Sequence, residues 1–173
     1  MRLLKGEELF RKVLDSGLKQ PRLLGLDVGS KYVGLAVSDH QNKVALPLSV
    51  LGRTKKNIDA MADDFKILVN KYSLEGLVVG YPFNLHGQSS PDAIHVSLLV
   101  GELCKTGKLD DLSYTYWDEN FTSKCVEALL NPLKLNDRFE TKTMTDKFAA
   151  VCILQGYLDN MNRGTRSAEN RGE

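Results

Sequence analysis

The sequence predicts one α/β domain, a mixed sheet with helices on both faces, and three observations carry that prediction. Two apolar runs with a period of two, at residues 23–28 and 33–37, are joined by the turn Gly29-Ser30-Lys31. With a third strand they form a meander, and further strands then alternate with helical stripes. At 173 residues and 42% hydrophobic content, the chain fills one core and is too short for two ordinary domains.

The elements follow in order. Residues 3–18 place Leu3, Leu4, Leu9, Phe10, Val13, Leu14 and Leu18 on a helical stripe, which Pro21 ends. Strand one starts at Arg22. In it Leu24, Leu26 and Val28 share one face, and Gly25 and Asp27 share the other. In the second strand Val33, Leu35 and Val37 oppose Gly34, Ala36 and Ser38, small residues that leave room for close approach. Residues 39–42 read as a polar turn and 44–51 as a third strand. A helix then carries Ile58, Met61, Phe65, Leu68 and Val69 at helical spacing, with Thr54 or Asn57 as cap. The run Leu77-Val78-Val79 suits a central strand covered on both faces. It leads into the breaker-rich loop 80–87.

A helix from Pro91, capped by Ser90, is expected to bury Ile94, Leu98, Leu99 and Leu103. Residues 112–117 form a fifth strand ending at Asp118-Glu119. Thr122 caps a further helix, with Phe121 and Val126 as its hydrophobic staple. Residues 131–142 are polar and expected to be irregular. The last helix, 144–161, is expected to bury Phe148, Val151, Cys152, Leu154 and Leu158. The implied division is a helical extension at 1–20, the domain at 21–160 and a polar, disordered tail at 161–173.

Composition narrows the function classes. A net charge of +1 gives no global attraction to nucleic acid, so such binding rests on local basic clusters. No apolar run approaches the roughly 20 residues that span a bilayer. Glu7, Glu8 and Asp15 make the first 20 residues unlike a secretory or organellar leader. The expected location is the cytoplasm, or the interior of a bacterial-type organelle after removal of a presequence, and not outside the cell. Cys104, Cys125 and Cys152 are odd in number and far apart, as in a reducing compartment where they serve as small core residues.

Three acids sit at element ends: Asp27 in strand one, Glu119 after strand five and Asp146 at the start of the last helix. An unpaired carboxylate in an apolar strand is costly, so Asp27 calls for a cationic partner. Carboxylates converging from separate elements suit hard divalent cations, Mg²⁺ or Mn²⁺. Their structural alternatives are a solvated strand end for Glu119 and a first-turn acid after Thr143 for Asp146. Asp39 and Asp118 read as turn residues.

Four segments then come in order: LLGLDVGSKYVGLAVSD, LVVGYPFNLHG, YWDENFTS and TDKFAAVCILQGYL. Together they resemble the RuvX/YqgF family, described as Holliday-junction resolvases and as pre-16S rRNA processing nucleases. The resemblance spans residues 22–158 and implies an RNase H-like fold. The element order read from the residues gives the sheet five strands, with the extra N-terminal helix beside it. The family's D-x-G acid falls on Asp27, the glutamate of its D-E-R motif on Glu119 and the aspartate before A-A on Asp146. These three are the implied catalytic residues and ligands of Mg²⁺ or Mn²⁺. The family's G-x-P-x-N-x-x-G loop maps to Gly80, Pro82, Asn84 and Gly87, with Lys31 and Lys147 as further phosphate contacts. The chemistry implied is attack by a metal-bound water, leaving a 5′-phosphate and a 3′-hydroxyl.

Two departures stand out. Asn120 replaces the arginine after the acidic pair, and Tyr32 replaces a basic residue after Lys31. Asparagine supplies no charge, so substrate grip or transition-state stabilisation is expected to be weaker. The expected function is metal-dependent endonuclease action on structured nucleic acid, pre-16S-type rRNA ahead of a DNA junction. Ribosomal precursor particles are the expected partners, and monomer and homodimer stay open. A Holliday-junction resolvase and a non-catalytic RNA- or ribosome-binding module are the alternatives. Arg53, Lys55, Lys56, Lys134, Arg138 and Lys142 are candidate backbone contacts.

Overall fold

The computed structural model describes residues 1–83, 90–118 and 138–169, and the side chains of these except at 138–146. The elements are β1 (Arg2–Leu3), α1 (Gly6–Leu14), β2 (Arg22–Val28), β3 (Tyr32–Ser38) and β4 (Ala45–Gly52). They continue with α2 (Ile58–Tyr72), β5 (Leu74–Tyr81), α3 (Pro91–Lys105), β6 (Ser113–Asp118) and α4 (Arg138–Glu169). The sheet runs β1-β6-β5-β2-β3-β4. β2, β5 and β6 are parallel, and β3 and β4 add an antiparallel edge.

The expected meander is present, and the sheet has six strands where five were expected. The sixth is β1, which pairs parallel to β6 through Arg2–Ser113 and Leu3–Tyr114. Backbone bonds from Arg2 N to Leu112 O (3.0 Å) and from Leu4 N to Tyr114 O (2.8 Å) secure it. Two residues are too few to show a period, so nothing in the sequence announces this strand.

Each sheet face has its own core. On one, Leu24, Leu26, Val33, Leu35, Leu77 and Val79 pack against Met61 and Phe65 of α2 and Val96 and Leu99 of α3. On the other, Leu23, Ala36 and Val78 meet Leu9, Phe10 and Val13 of α1 and Ile153, Leu154 and Tyr157 of α4. The leading helix thus belongs to the core. α1 lies so close that a Cβ on Gly76 would come within 2.5 Å of Leu9 Cδ1 and 2.9 Å of Ser113 O. The Tyr157 hydroxyl donates to Gly6 O at 2.7 Å, tying α1 to α4.

The buried polar groups of the β3–β4 end satisfy one another. Leu23 N donates to Ser38 Oγ (2.9 Å), Ser38 Oγ to Asn42 Oδ1 (2.6 Å) and Asn42 Nδ2 to Pro21 O (2.8 Å). Asp39 forms the expected turn, its carboxylate accepting from Lys43 N at 2.8 Å and Val44 N at 3.2 Å.

Several helix expectations need correction. Ser90 caps α3 as expected, its Oγ accepting from Ala93 N at 3.1 Å. The buried side of α3, however, is Ala93, Val96, Leu99, Val100 and Leu103; Ile94 and Leu98 are 49% and 54% exposed. α4 starts at Arg138, within the stretch expected to be irregular, and runs through the expected tail to Glu169. Its core side is Ala149, Ala150, Ile153, Leu154, Tyr157, Leu158 and Met161, with Phe148, Val151 and Cys152 only half-buried. Cys104 is a free, half-buried thiol, whereas Cys152 is disulfide-bonded, which corrects the expectation of three plain thiols. The expected Thr122 cap and the Phe121–Val126 staple lie outside the described residues. No helix among the described residues is long and apolar enough to cross a membrane.

Candidate active site

Asp27 is the last residue but one of β2 and is half-buried on the sheet face that carries α4. Its partner across β3 is Gly34. On the other side Leu26 pairs with Val79, so the next position of that register sets Gly80 of β5 beside Asp27. Gly80 in turn pairs with Trp117 of β6. The carboxylate therefore stands in a cross-strand row between two glycines, neither of which has a side chain to cover it.

α4 covers the row behind. A Cβ on Gly25 would meet Leu154 Cβ at 2.7 Å and Ala150 O at 3.1 Å. Farther along, Asn162 Nδ2 donates to Asn42 O (3.0 Å) at the opposite end of β2 and β3 from Asp27. α4 thus runs antiparallel to β2. With Ala150 and Leu154 against Gly25, the residues of α4 that precede 150 lead toward the Asp27 end of β2. Asp146 is the ninth residue of α4 and not an opening residue, which removes the capping-box reading with Thr143.

The turn after Asp27 is clamped from outside. Gly29 N donates to Tyr32 O at 2.8 Å, closing the tight turn. Arg53 N donates to Lys31 O at 2.7 Å, and its guanidinium donates to Gly29 O (3.0 Å) and His95 O (3.2 Å). Sequence reasoning offered Arg53 as a nucleic-acid contact. In the fold its fork instead ties the Asp27 strand end to β4 and α3. No sequence signal marks this, because the acceptors are main-chain oxygens brought close by tertiary structure.

Lys31 is exposed at this turn, and Lys147 is half-buried one residue after position 146 on α4. Gly80 is buried in β5. Glu119, Asn84, Gly87 and Asn120 lie outside the described residues; Glu119 follows directly on β6, whose end aligns with Tyr81 of β5. Among the described residues, no three His, Cys, Asp or Glu side chains gather as a metal site. On the opposite face Tyr81, Tyr116 and Tyr114 form an aromatic row with ring centroids 4.7 and 5.6 Å apart. Burial, reinforced by Tyr114, pushes the Tyr116 phenol up to about 12, so it stays protonated at neutral pH.

The profile of the RuvX family, described as Holliday junction resolvase, matches residues 21–160. A Paramagnetospirillum magneticum protein named "Putative pre-16S rRNA nuclease" is 36% identical over 149 residues, 86% of this chain and 92% of that protein. A Lactobacillus gasseri protein of the same name is 39% identical over 139 residues, 80% of this chain and 95% of its own length. In fold, the chain is similar to Thermus thermophilus RuvC in complex with a Holliday junction substrate. The TM-score is 0.52 at 14% identity, covering 82% of this chain and 96% of that one. The fold is RNase H-like, as the motifs implied. The chain belongs to the RuvX family.

Proposed function

We propose that this protein is a divalent-metal-dependent endonuclease that hydrolyses phosphodiester bonds in structured nucleic acid, with the 5′ region of pre-16S-type rRNA as substrate. The observation that carries the reading is Asp27, a carboxylate near the end of an apolar strand, paired across the sheet with Gly34. The names of the relatives support the substrate class.

The residues fit Mg²⁺ or Mn²⁺. Carboxylate oxygens are the hard donors such ions prefer, and Gly34 opposite Asp27 adds no side chain that would compete for the space beside it. In this reading Asp27, Glu119 and Asp146 hold the metal. A bound divalent ion would polarise the scissile phosphate and lower the pKa of a water nucleophile. Asp27 is a rigid donor because its strand is paired on both sides and the turn after it is fixed by Arg53. Lys31, exposed at the turn after β2, and Lys147 on α4 would attract the phosphate backbone. The amide groups of the loop from Gly80 to Gly87, Asn84 included, complete the substrate contacts.

Cleavage of a labelled pre-rRNA 5′ segment, run beside a four-way DNA junction with and without Mg²⁺ or Mn²⁺, tests this. Metal-dependent RNA cutting is expected. Cutting of the junction alone would favour the resolvase reading, which the family description supports. Binding of RNA without cleavage would favour a non-catalytic module, the reading that Asn120 supports.

A further inference from the structure

The turn between β3 and β4 is locked onto the far end of α4 by side chains remote in sequence. The Gln155 amide oxygen accepts from Ala45 N at 2.8 Å, and its nitrogen donates to Lys43 O and to the Asp159 carboxylate, both at 2.9 Å. Asn162 adds its bond to Asn42 O. The result is a cleft of about 400 Å³ lined by Lys43, Arg163 and Arg166, with Asp159 and Asn162. All three cations are exposed, and none forms an ion pair with a described acid. With Asp159 engaged by Gln155, the lining carries three positive charges against one negative. Arg163 Nε donates to Asp159 O at 3.2 Å, which steadies its guanidinium. The negative end of a helix dipole favours basic residues in the last turn. That accounts for Arg166 but not for Lys43, which comes from another element.

We infer that this cleft is a second phosphodiester-backbone site, resting on the nuclease reading above, that grips substrate away from the point of cutting. Guanidinium forks and a lysine ammonium are suited to phosphate oxygens. From position 146 to Arg163 α4 advances about 26 Å, the span of several nucleotide steps. A substrate following the helix meets both ends, and the cleft then sets how far from its held segment the strand is cut.

The test compares Lys43→Gln/Arg163→Gln/Arg166→Gln with the parent protein, both carrying Asp27→Asn to prevent turnover. Affinity for a structured RNA of about 30 nucleotides is measured across salt concentrations. Each lost phosphate contact lowers the slope of log affinity against log salt by about 0.7–0.9, so a reduction of about 2 is expected, with affinity down at least about tenfold. Arg163→Lys/Arg166→Lys should keep the parental slope. Equal slopes in parent and triple variant overturn the inference, as does weaker binding that the lysine variant fails to restore. Failure of the wild type to cleave any nucleic acid overturns the nuclease reading itself; wild-type cleavage with unchanged slopes overturns this site alone.

Discussion

The Arg53 guanidinium donates to Gly29 O at 3.0 Å, so a side chain from beyond β4 fixes the turn that follows Asp27. A second bond from the same fork to His95 O at 3.2 Å brings α3 into the arrangement. Lysine has the charge but not the planar fork, and it cannot span both oxygens. Arg53→Ala and Arg53→Lys are both expected to cost about 1 kcal/mol of stability. Both should lower kcat about tenfold, since small misplacements of a reacting group are expensive. Urea unfolding with cleavage kinetics checks this; a variant with unaltered kcat would make Arg53 a mere surface residue.

Gly25 controls how closely α4 approaches the sheet. The Cβ of an alanine there would sit 2.7 Å from Leu154 Cβ and 3.1 Å from Ala150 O, and the second of these is backbone that cannot swing away. Overpacking of this kind costs about 1–3 kcal/mol, or about 2–12 °C in Tm for a chain of this size. Displacing α4 also shifts position 146 relative to Asp27, so Gly25→Ala should lose more activity than its fall in Tm explains. Thermal melts and kcat on one preparation decide the matter.

Asp39 ties stability to pH. Burial raises its pKa, but backbone N–H donors led by Lys43, with Val44 and Gln41, outweigh that and hold it below the ordinary value. A depressed folded-state pKa means the stabilisation is complete above the unfolded value of about 3.9 and is lost as pH falls through the folded one. Allowing for solvent screening, Asp39→Asn should cost about 1 kcal/mol at pH 7. Urea titrations of the two proteins should converge as pH falls below the ordinary carboxylate range. A gap independent of pH would show that the charge contributes nothing.

Some of this was legible in the sequence because the physics is local. β2 and β3 show their period of two, and an acid in an apolar strand identifies Asp27 without any fold. Other parts are tertiary. On α3, Ile94 and Leu98 offered a plausible stripe, but the helix turns Ala93 and Val96 inward, where small side chains fit the sheet. The first turns of α4 are polar, and a helix start without an apolar stripe reads as a loop. Gly34, Ala36 and Ser38 read as room for close approach, but nothing in the sequence marked Gly25 as the point where a helix packs onto β2.

In the proposed function Asp27 serves as a catalytic metal ligand and not as a structural residue. The most direct test of this role is cleavage of the pre-rRNA 5′ segment by wild type and Asp27→Asn at several Mn²⁺ and Mg²⁺ concentrations, with Tm recorded for both. Loss of a metal ligand predicts a fall in kcat of at least about 100-fold, with Tm equal to or above that of the wild type. Metal-dependent cleavage by Asp27→Asn at the wild-type rate would contradict it.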